Sequence, residues 1–152
     1  MDTTTTLPTG TVTFLFTDIE GSTRLWEAHP EAMSRSLGAH DAILAETIAA
    51  HRGYIFKTVG DGVYAVFDDP HEAVAAALAA QERLQRAAWE IPGGLRVRMA
   101  IHTGSAESRD GDYFGPALNR VARLLAIGHG GQVLVSGAAA ALATMADSTR
   151  PA

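Results

Sequence analysis

The tripeptide Gly60-Asp61-Gly62 constrains the fold of this chain more than any other feature, because strand-forming segments flank it on both sides. These segments, Tyr54 to Val59 and Val63 to Phe67, are short and rich in β-branched and aromatic residues. Aspartate beside glycine between two such segments is a strong hairpin signal, since a tight turn needs residues that tolerate unusual backbone angles. The sequence therefore predicts two adjacent antiparallel strands near the middle of the chain.

Strand and helix patterns alternate on both sides of this hairpin. The other predicted elements are a buried strand over Thr11 to Phe16, a helix from about Leu25 that restarts at Pro30 and ends at Gly53, a helix from Asp69 to about Trp89, a half-buried strand over Leu95 to His102, a helix over Pro116 to Ile127, a strand over Gln132 to Val135 and a helix over Gly137 to Met145. The order is βαββαβ followed by αβα. It favours an α+β fold with a ferredoxin-like core, in which the helices of the first six elements lie on one face of the sheet. We expect one domain over residues 10–146, with tails at 1–9 and 147–152.

Composition limits the partners of this domain. A net charge of -5 over 152 residues argues against nucleic acid or an anionic membrane as the main partner. The absence of cysteine excludes disulfides and thiolate metal sites, and the six histidines lack the spacing of a zinc site and are expected at the surface or at helix ends. The Thr-rich start does not look like a signal peptide, and the longest apolar stretch, Ala73 to Ala80, is too short to span a bilayer. We expect a cytoplasmic domain.

Two aspartates are candidates for a metal site. Asp18 lies where the first predicted strand gives way to a helix, and Asp61 lies at the hairpin tip. If their strands are neighbours, the two carboxylates can bind Mg²⁺ or Mn²⁺ together and leave positions for water and phosphate oxygens. The alternatives are that Asp18, with Ser22 and Thr23, only caps a helix, and that Asp61 only serves the turn.

Four further polar residues are candidates for ligand contacts, although each also has a plain structural explanation. Lys57 lies in an otherwise apolar strand and Asp112 in a polar loop, so the alternatives are a surface lysine and an ordinary loop acid. Asn119 and Arg123 are four residues apart on one predicted helix and share a face, where exposed polar residues are common. No nucleophile elbow, phosphate-binding P-loop or dinucleotide fingerprint occurs, which disfavours hydrolase, P-loop and Rossmann folds.

The order of three motifs resembles the catalytic domain of class III adenylyl and guanylyl cyclases, with compact bacterial members as the nearest match. The motifs are Phe16-Thr-Asp-Ile-Glu-Gly-Ser-Thr23, Phe56-Lys-Thr-Val-Gly-Asp-Gly62 and Asp112-Tyr-Phe-Gly-Pro-Ala-Leu-Asn-Arg-Val-Ala-Arg123. The similarity extends from about Gly10 to Ala140. A diguanylate cyclase of similar topology would need a Gly-Gly-acid-acid-Phe signature, which the chain lacks.

The resemblance implies a role for each candidate residue. Two metal ions, Mg²⁺ or Mn²⁺, would be held by Asp18, Asp61 and the backbone carbonyl of Ile19, while the turn formed by Gly21, Ser22 and Thr23 receives the terminal phosphates. Lys57 and Asp112 would recognise the purine. Asn119 and Arg123, supplied by the partner subunit of a homodimer, would position the ribose and stabilise the transition state.

The same resemblance implies the conversion of ATP to cyclic AMP and pyrophosphate. Adenine offers an acceptor at N1 and a donor at N6, which suit a lysine and a carboxylate, whereas guanine reverses both. The chain departs from the family pattern at Ser105, where many members carry an arginine, and in ending before a further strand pair. The alternative function is a cyclase-like regulatory module that binds nucleotide or dimerises with little catalysis, and a further regulatory domain or partner protein is possible in either case.

Overall fold

The computed structural model of this chain describes residues 7–148, and the tail predictions for residues 1–6 and 149–152 lie outside that part. Its elements in chain order are β1 (Gly10–Ile19), α1 (Ser22–Ala28), α2 (Pro30–Ala50), β2 (Tyr54–Val59), β3 (Gly62–Phe67), α3 (Pro70–Arg86), β4 (Val97–Arg109), β5 (Asp112–Phe114), α4 (Pro116–Ala126), β6 (Val133–Val135) and α5 (Gly137–Ser148). Every predicted element is present. The strand β5 was not predicted, because three residues are too few to show a strand period.

The strands form one sheet in the order β2-β3-β1-β4, the order of a ferredoxin-like core. All pairs among these four strands are antiparallel. Strand β6 joins β4 in parallel, and β5 pairs with the far end of β4. The predicted α+β class and core order are therefore confirmed, and β4 is the strand that connects the core to the later elements.

The first and fourth strands are longer than the sequence predicted. Strand β1 continues to Ile19, because ten of its residues pair with β4 from Gly10↔Ala106 to Ile19↔Val97. Asp18 therefore lies inside a strand, directly opposite Arg98, and not beyond the strand end. Local composition does not reveal this extension, since it depends on the length of the partner strand.

Both faces of the sheet are covered by helices. Helices α2, α3 and α5 cover one face, over a core that includes Leu15 and Met99, whereas α4 covers the other face, over a core that includes Phe14 and Ala100. The centre of β4 is consequently buried on both sides. The prediction of a half-buried strand was wrong there, because it did not account for a helix on the second face.

The ends of two helices show how the chain turns. Asp69 caps α3 as predicted, since its side chain accepts a hydrogen bond of 2.9 Å from the backbone N–H of His71. At the start of α1, however, neither Ser22 nor Thr23 caps the helix. The cap position is Gly21, in a left-handed conformation with φ 68°, and no side chain bonds to the first turn there. Glycine takes this conformation at low cost, so the helix begins earlier than predicted.

The hairpin between β2 and β3 has a two-residue loop, Gly60-Asp61, closed by the pair Val59↔Gly62. Positive φ falls on Gly60, at 60°, and not on Asp61. A hairpin that places glycine first in its loop leaves the second position to an ordinary residue. Asp61 is therefore held at the tip without backbone strain.

Two histidines contradict the expectation of surface or helix-end positions. His40 is fully buried in the middle of α2, and His102 on β4 is 7% exposed. Their spacing carried no signal of burial, because each lies on an element whose packing depends on the whole fold. Within residues 7–148, no helix has the length and apolar character that a bilayer crossing requires.

Candidate functional site

Asp18 and Asp61 line one cleft, as the sequence predicted. The cleft has a volume of about 500 Å³ and lies between the end of β1, the first turn of α1 and the tip of the β2–β3 hairpin. Its lining residues are Asp18, Ile19, Gly21, Ser22, Thr23, Arg24, Glu27, Asp61 and Arg98. We call this space the acidic cleft. It contains every residue that the sequence assigned to metal and phosphate binding.

Strand pairing explains why the two aspartates meet. Thr17 pairs with Val63, and its hydroxyl both donates to the Val63 carbonyl at 3.2 Å and accepts from the Val63 N–H at 3.3 Å. These bonds fix the end of β1 against the beginning of β3. Asp18 follows Thr17 by one residue and Asp61 precedes Val63 by two, so both carboxylates emerge at the same end of the sheet.

Arg24, Glu27 and Arg98 line the acidic cleft but were not predicted from the sequence, and Arg98 is the one that bonds to Asp18. Its Nε donates to Asp18 Oδ1 at 2.7 Å and its Nη2 donates to Oδ2 at 2.5 Å, so the guanidinium grips both oxygens. The pKa of Arg98 is raised above its usual range, chiefly by this hydrogen bonding, and burial opposes the shift. The alternation of apolar and polar residues along β4 predicted only that Arg98 faces away from the core. Its partner depends on the β1–β4 register, which the sequence does not display.

Gly21, Ser22 and Thr23 form the wall of the acidic cleft next to the aspartates. The first-turn N–H groups of a helix lack partners within the helix, and hydroxyls add further donors. Because α1 has only seven residues, these local donors matter more than a helix dipole. The arrangement can accept anionic oxygens beside the two carboxylates.

A second cleft, of about 570 Å³, lies on the α4 side of the sheet. Aromatic and apolar side chains make most of it, and its lining residues are Phe16, Lys57, Tyr64, Tyr113, Phe114, Gly115, Pro116, Leu118, Asn119 and Ala122. We call this space the aromatic cleft. Lys57 Nζ donates to Asp112 Oδ2 at 3.2 Å, so the two predicted purine contacts meet at its edge. The cleft can accommodate a flat ring that carries polar edge groups.

Helix α4 presents the remaining two predicted residues. Asn119 and Arg123 are both exposed, and the opposite side of the helix is buried through Ala117, Val121 and Leu125. Asn119 lines the aromatic cleft, whereas Arg123 lies in a separate apolar groove beside His102 and Ser136. The structure therefore does not bring Arg123 to the aspartates within one chain.

The oxygen donors of the acidic cleft suit a hard divalent cation. Mg²⁺ is commonly held by one or two carboxylates together with substrate phosphates and water, not by a complete protein cage. Ile19 can contribute only its backbone carbonyl, since its side chain is a hydrocarbon that packs in the core. Among the described residues, no group of three or more His, Asp or Glu side chains is placed to hold a metal ion by itself.

Comparison with known proteins identifies the family. The sequence model of the adenylate and guanylate cyclase catalytic domain matches residues 5–150. The chain belongs to this family. It is 39% identical over 139 residues to an uncharacterized protein of Mycobacterium tuberculosis, covering 90% of this chain and 46% of that protein. It is 34% identical over 154 residues to an adenylate cyclase of Lachancea kluyveri, covering 85% of this chain and 8% of that protein.

A solved structure supports the same assignment. An adenylate cyclase from Trypanosoma brucei, described in its monomeric state, superposes with a TM-score of 0.86 at 30% identity, over 96% of this chain and 80% of the other. The fold of a cyclase catalytic domain is thus shown. The chain spans about half the length, or less, of the curated relatives that it matches.

Proposed function

We propose that this cyclase domain converts ATP to 3′,5′-cyclic AMP and pyrophosphate at two composite sites of a homodimer. The observation that carries the proposal is that the candidate residues do not meet in one chain: the acidic and aromatic clefts share no lining residue, and Arg123 lies in a third groove. The acidic cleft holds Asp18 and Asp61, and the aromatic cleft holds Lys57 and Asn119. A triphosphate and its base need both sets, and a second copy of the chain can supply the set that the first does not bring near.

The acidic cleft would bind the triphosphate end of the substrate. Asp18, Asp61 and the Ile19 carbonyl would hold two divalent cations, Mg²⁺ or Mn²⁺, which lower the pKa of the ribose hydroxyl and neutralise developing charge when bound. The N–H groups and hydroxyls at Ser22 and Thr23 would donate to the terminal phosphates. In the reaction the 3′-oxygen attacks the α-phosphorus, the bond from the α-phosphorus to the bridging oxygen breaks so that pyrophosphate leaves, and the hydroxyl proton passes to solvent water.

The aromatic cleft would bind the purine. Lys57 can donate to adenine N1, and the Asp112 carboxylate can accept from the N6 amino group. With guanine, each side chain would meet a group of its own hydrogen-bonding type, and the unpaired polar groups would disfavour binding. The Lys57–Asp112 pair supports this choice because it already places a donor beside an acceptor at 3.2 Å.

Helix α4 would complete the partner's site. Asn119 would contact the ribose, and Arg123 would donate to the transferring phosphoryl oxygens in the transition state, as arginine residues do in other phosphoryl transfers. The exposure of both side chains supports a contact outside their own chain.

A regulatory module without useful catalysis is the second candidate, and Ser105 is the observation that favours it. Ser105 is exposed on β4, where a family arginine would add a phosphate contact. Serine cannot replace that charge.

Incubation of the purified chain with ATP and Mn²⁺, followed by chromatography for cyclic AMP, tests the proposal. We expect cyclic AMP from the wild type and none above background from Asp18→Ala or Asp61→Ala. Asp68→Ala is the matched control, because Asp68 is an exposed acid beyond the other end of β3 and should keep wild-type turnover. Full turnover by Asp61→Ala would reject the assigned metal site, and nucleotide binding without product would favour the regulatory module.

A further inference from the structure

Arg98 forms an ion pair with the Asp18 carboxylate, which the proposed function assigns as a metal ligand. Asp18 and Arg98 face each other across β1 and β4. The guanidinium approaches side-on through Nε and Nη2, and each nitrogen bonds to a different carboxylate oxygen. The two side chains are 26% and 25% exposed, so the pair is largely shielded from water. A fork-to-fork pair of this kind is among the stronger protein hydrogen-bonding arrangements.

A divalent cation and this guanidinium compete for the same charge. An ionised carboxylate has about four lone-pair sites, and the fork uses one on each oxygen. A cation bound to Asp18 would therefore lie within a few ångströms of a fixed positive charge, which repels it. Asp61 and Glu27, which line the same cleft, and the nearby Glu20 offset part of that repulsion, but the acidic cleft still has less net attraction for a free cation than its acidic residues alone suggest.

Arg98 also has a second partner that can retain it when the carboxylate is released. Its Nη1 donates to the carbonyl of Ala126 at 3.4 Å, and Ala126 is the last residue of α4. The final carbonyls of a helix lack partners within the helix and favour a cation. Arg98 can thus leave the Asp18 oxygens without losing all of its hydrogen bonds.

We propose that Arg98 is a positioning residue that holds the Asp18 carboxylate in the metal-free protein and must be displaced by the incoming cation. Metal alone then binds weakly, and binding becomes favourable when the nucleotide phosphates supply further ligands. The proposal rests on the assignment of Asp18 as a metal ligand. It makes Arg98 a residue that couples metal binding to nucleotide binding.

Binding of Mn²⁺ without nucleotide tests this directly, with free Mn²⁺ measured by electron paramagnetic resonance. Arg98→Gln removes the charge and should bind Mn²⁺ about tenfold more tightly than the wild type. Arg98→Lys keeps the charge and should stay within about threefold of the wild type. Arg96→Gln, an exposed arginine two residues earlier, is the matched control and should change affinity by no more than about twofold.

A second measurement follows the wild-type protein and needs a variant only to assign one resonance. The Nε–H resonance of Arg98, assigned by its absence from Arg98→Lys, should shift when Mg²⁺ and a non-hydrolysable ATP analogue are added together. It should shift less with the same Mg²⁺ concentration alone. An unchanged resonance under both conditions would overturn the proposal.

The outcomes separate this inference from the proposed function. If Arg98→Gln and the wild type bind Mn²⁺ equally well and Asp18→Ala loses binding, the role given to Arg98 is wrong, but the metal site is not. Tighter binding in both Arg98→Gln and Arg98→Lys would reject charge competition as the cause. No Mn²⁺ binding by any variant, with or without the ATP analogue, would reject the metal site and this inference together.

Discussion

The two oxygens of the Asp112 carboxylate have different partners, and the difference bears on how a purine would be recognised. Oδ1 accepts a hydrogen bond of 2.7 Å from the backbone N–H of Tyr113, which fixes the carboxylate to its own strand. Oδ2 accepts the 3.2 Å bond from Lys57, whose side chain is 48% exposed. Exposed ion pairs of this kind contribute little to stability, so a base can replace the Lys57 contact at low cost.

Reversal of these two residues should reverse the base preference. We expect Lys57→Glu combined with Asp112→Ser to lower kcat/KM for ATP by ~10²-fold or more relative to GTP, because the N1 partner changes from donor to acceptor. Parallel assays of cyclic AMP and cyclic GMP measure the ratio. Thr58→Ser, at the neighbouring exposed position of β2, is the control and should leave the ratio of ATP to GTP use unchanged. An unchanged ratio would show that the pair does not contact the purine.

His102 should make stability depend on pH. Burial, followed by the charge of Arg120, lowers the pKa of His102 in the folded protein, and Nδ1 lies 2.8 Å from Ser136 Oγ. The unfolded chain therefore binds a proton more readily, so this group's stabilising effect is present above the unfolded pKa and is lost as the pH falls below it. Urea unfolding at pH 7.5 and 5.5 should show a smaller loss for His102→Gln than for wild type. An equal loss in both proteins would assign the acid sensitivity to other groups.

At the scale of elements, β1 and β4 are joined in the core by a hydroxyl pair. The Oγ1 atoms of Thr13 and Thr103 are 2.8 Å apart, and both residues are buried and face each other in the β1–β4 register. A buried hydroxyl that loses its only partner costs more than a pair replaced by apolar groups of the same shape. The two strands that carry Asp18 and Arg98 therefore depend on each other through this contact.

A double-mutant cycle should show this dependence. Thr13→Val and Thr103→Val should each lower the free energy of unfolding by about 1–3 kcal/mol, and the double variant should be more stable than the sum of the two losses predicts. Chemical denaturation measures all four proteins, with Thr58→Val on the exposed strand β2 as a control for the substitution itself. Strictly additive losses would mean that the two hydroxyls do not interact.

The sequence predicted elements better than it predicted their contacts. The hairpin around Asp61, the cap at Asp69 and the core strand order follow from local turn chemistry and from the spacing of apolar residues. The length of β1 and the burial of both faces of β4 do not, since each depends on a partner distant in the sequence. Register is a property of two strands, and one strand's pattern does not contain it.

The same distinction applies to the candidate site. Motif order predicted that Asp18 and Asp61 would share a cleft, and the structure confirms that placement, while their binding of metal stays a prediction. Arg98 was not predicted, although it forms two hydrogen bonds to the Asp18 carboxylate. Its sequence context is an ordinary alternating strand, in which an outward arginine needs no explanation.

At the scale of the whole molecule, the proposed machinery lies in two separate clefts. The acidic cleft opens at the end of β1 beside α1, and the aromatic cleft opens beside the first turns of α4. In a homodimer with a two-fold axis, each chain would offer its acidic cleft to one site and its α4 residues to the other, because such an interface uses the same surface on both subunits. A single chain would then contribute to two sites and complete neither.

Mixing two inactive variants tests this arrangement. Asp18→Ala and Arg123→Ala should each be inactive alone, because every site in either homodimer lacks one element. When the two are mixed and exchange subunits, a heterodimer gathers both defects in one site and leaves the other intact. Random exchange makes half of the dimers heterodimers with one good site of two, so roughly a quarter of wild-type activity should return. Asp18→Ala mixed with Asp61→Ala is the matched control and should stay inactive, since both defects fall in the acidic cleft and every site keeps one. If differently tagged chains prove exchange and the first mixture still makes no cyclic AMP, Asp18 and Arg123 must act within one chain's own site, and the composite arrangement is wrong.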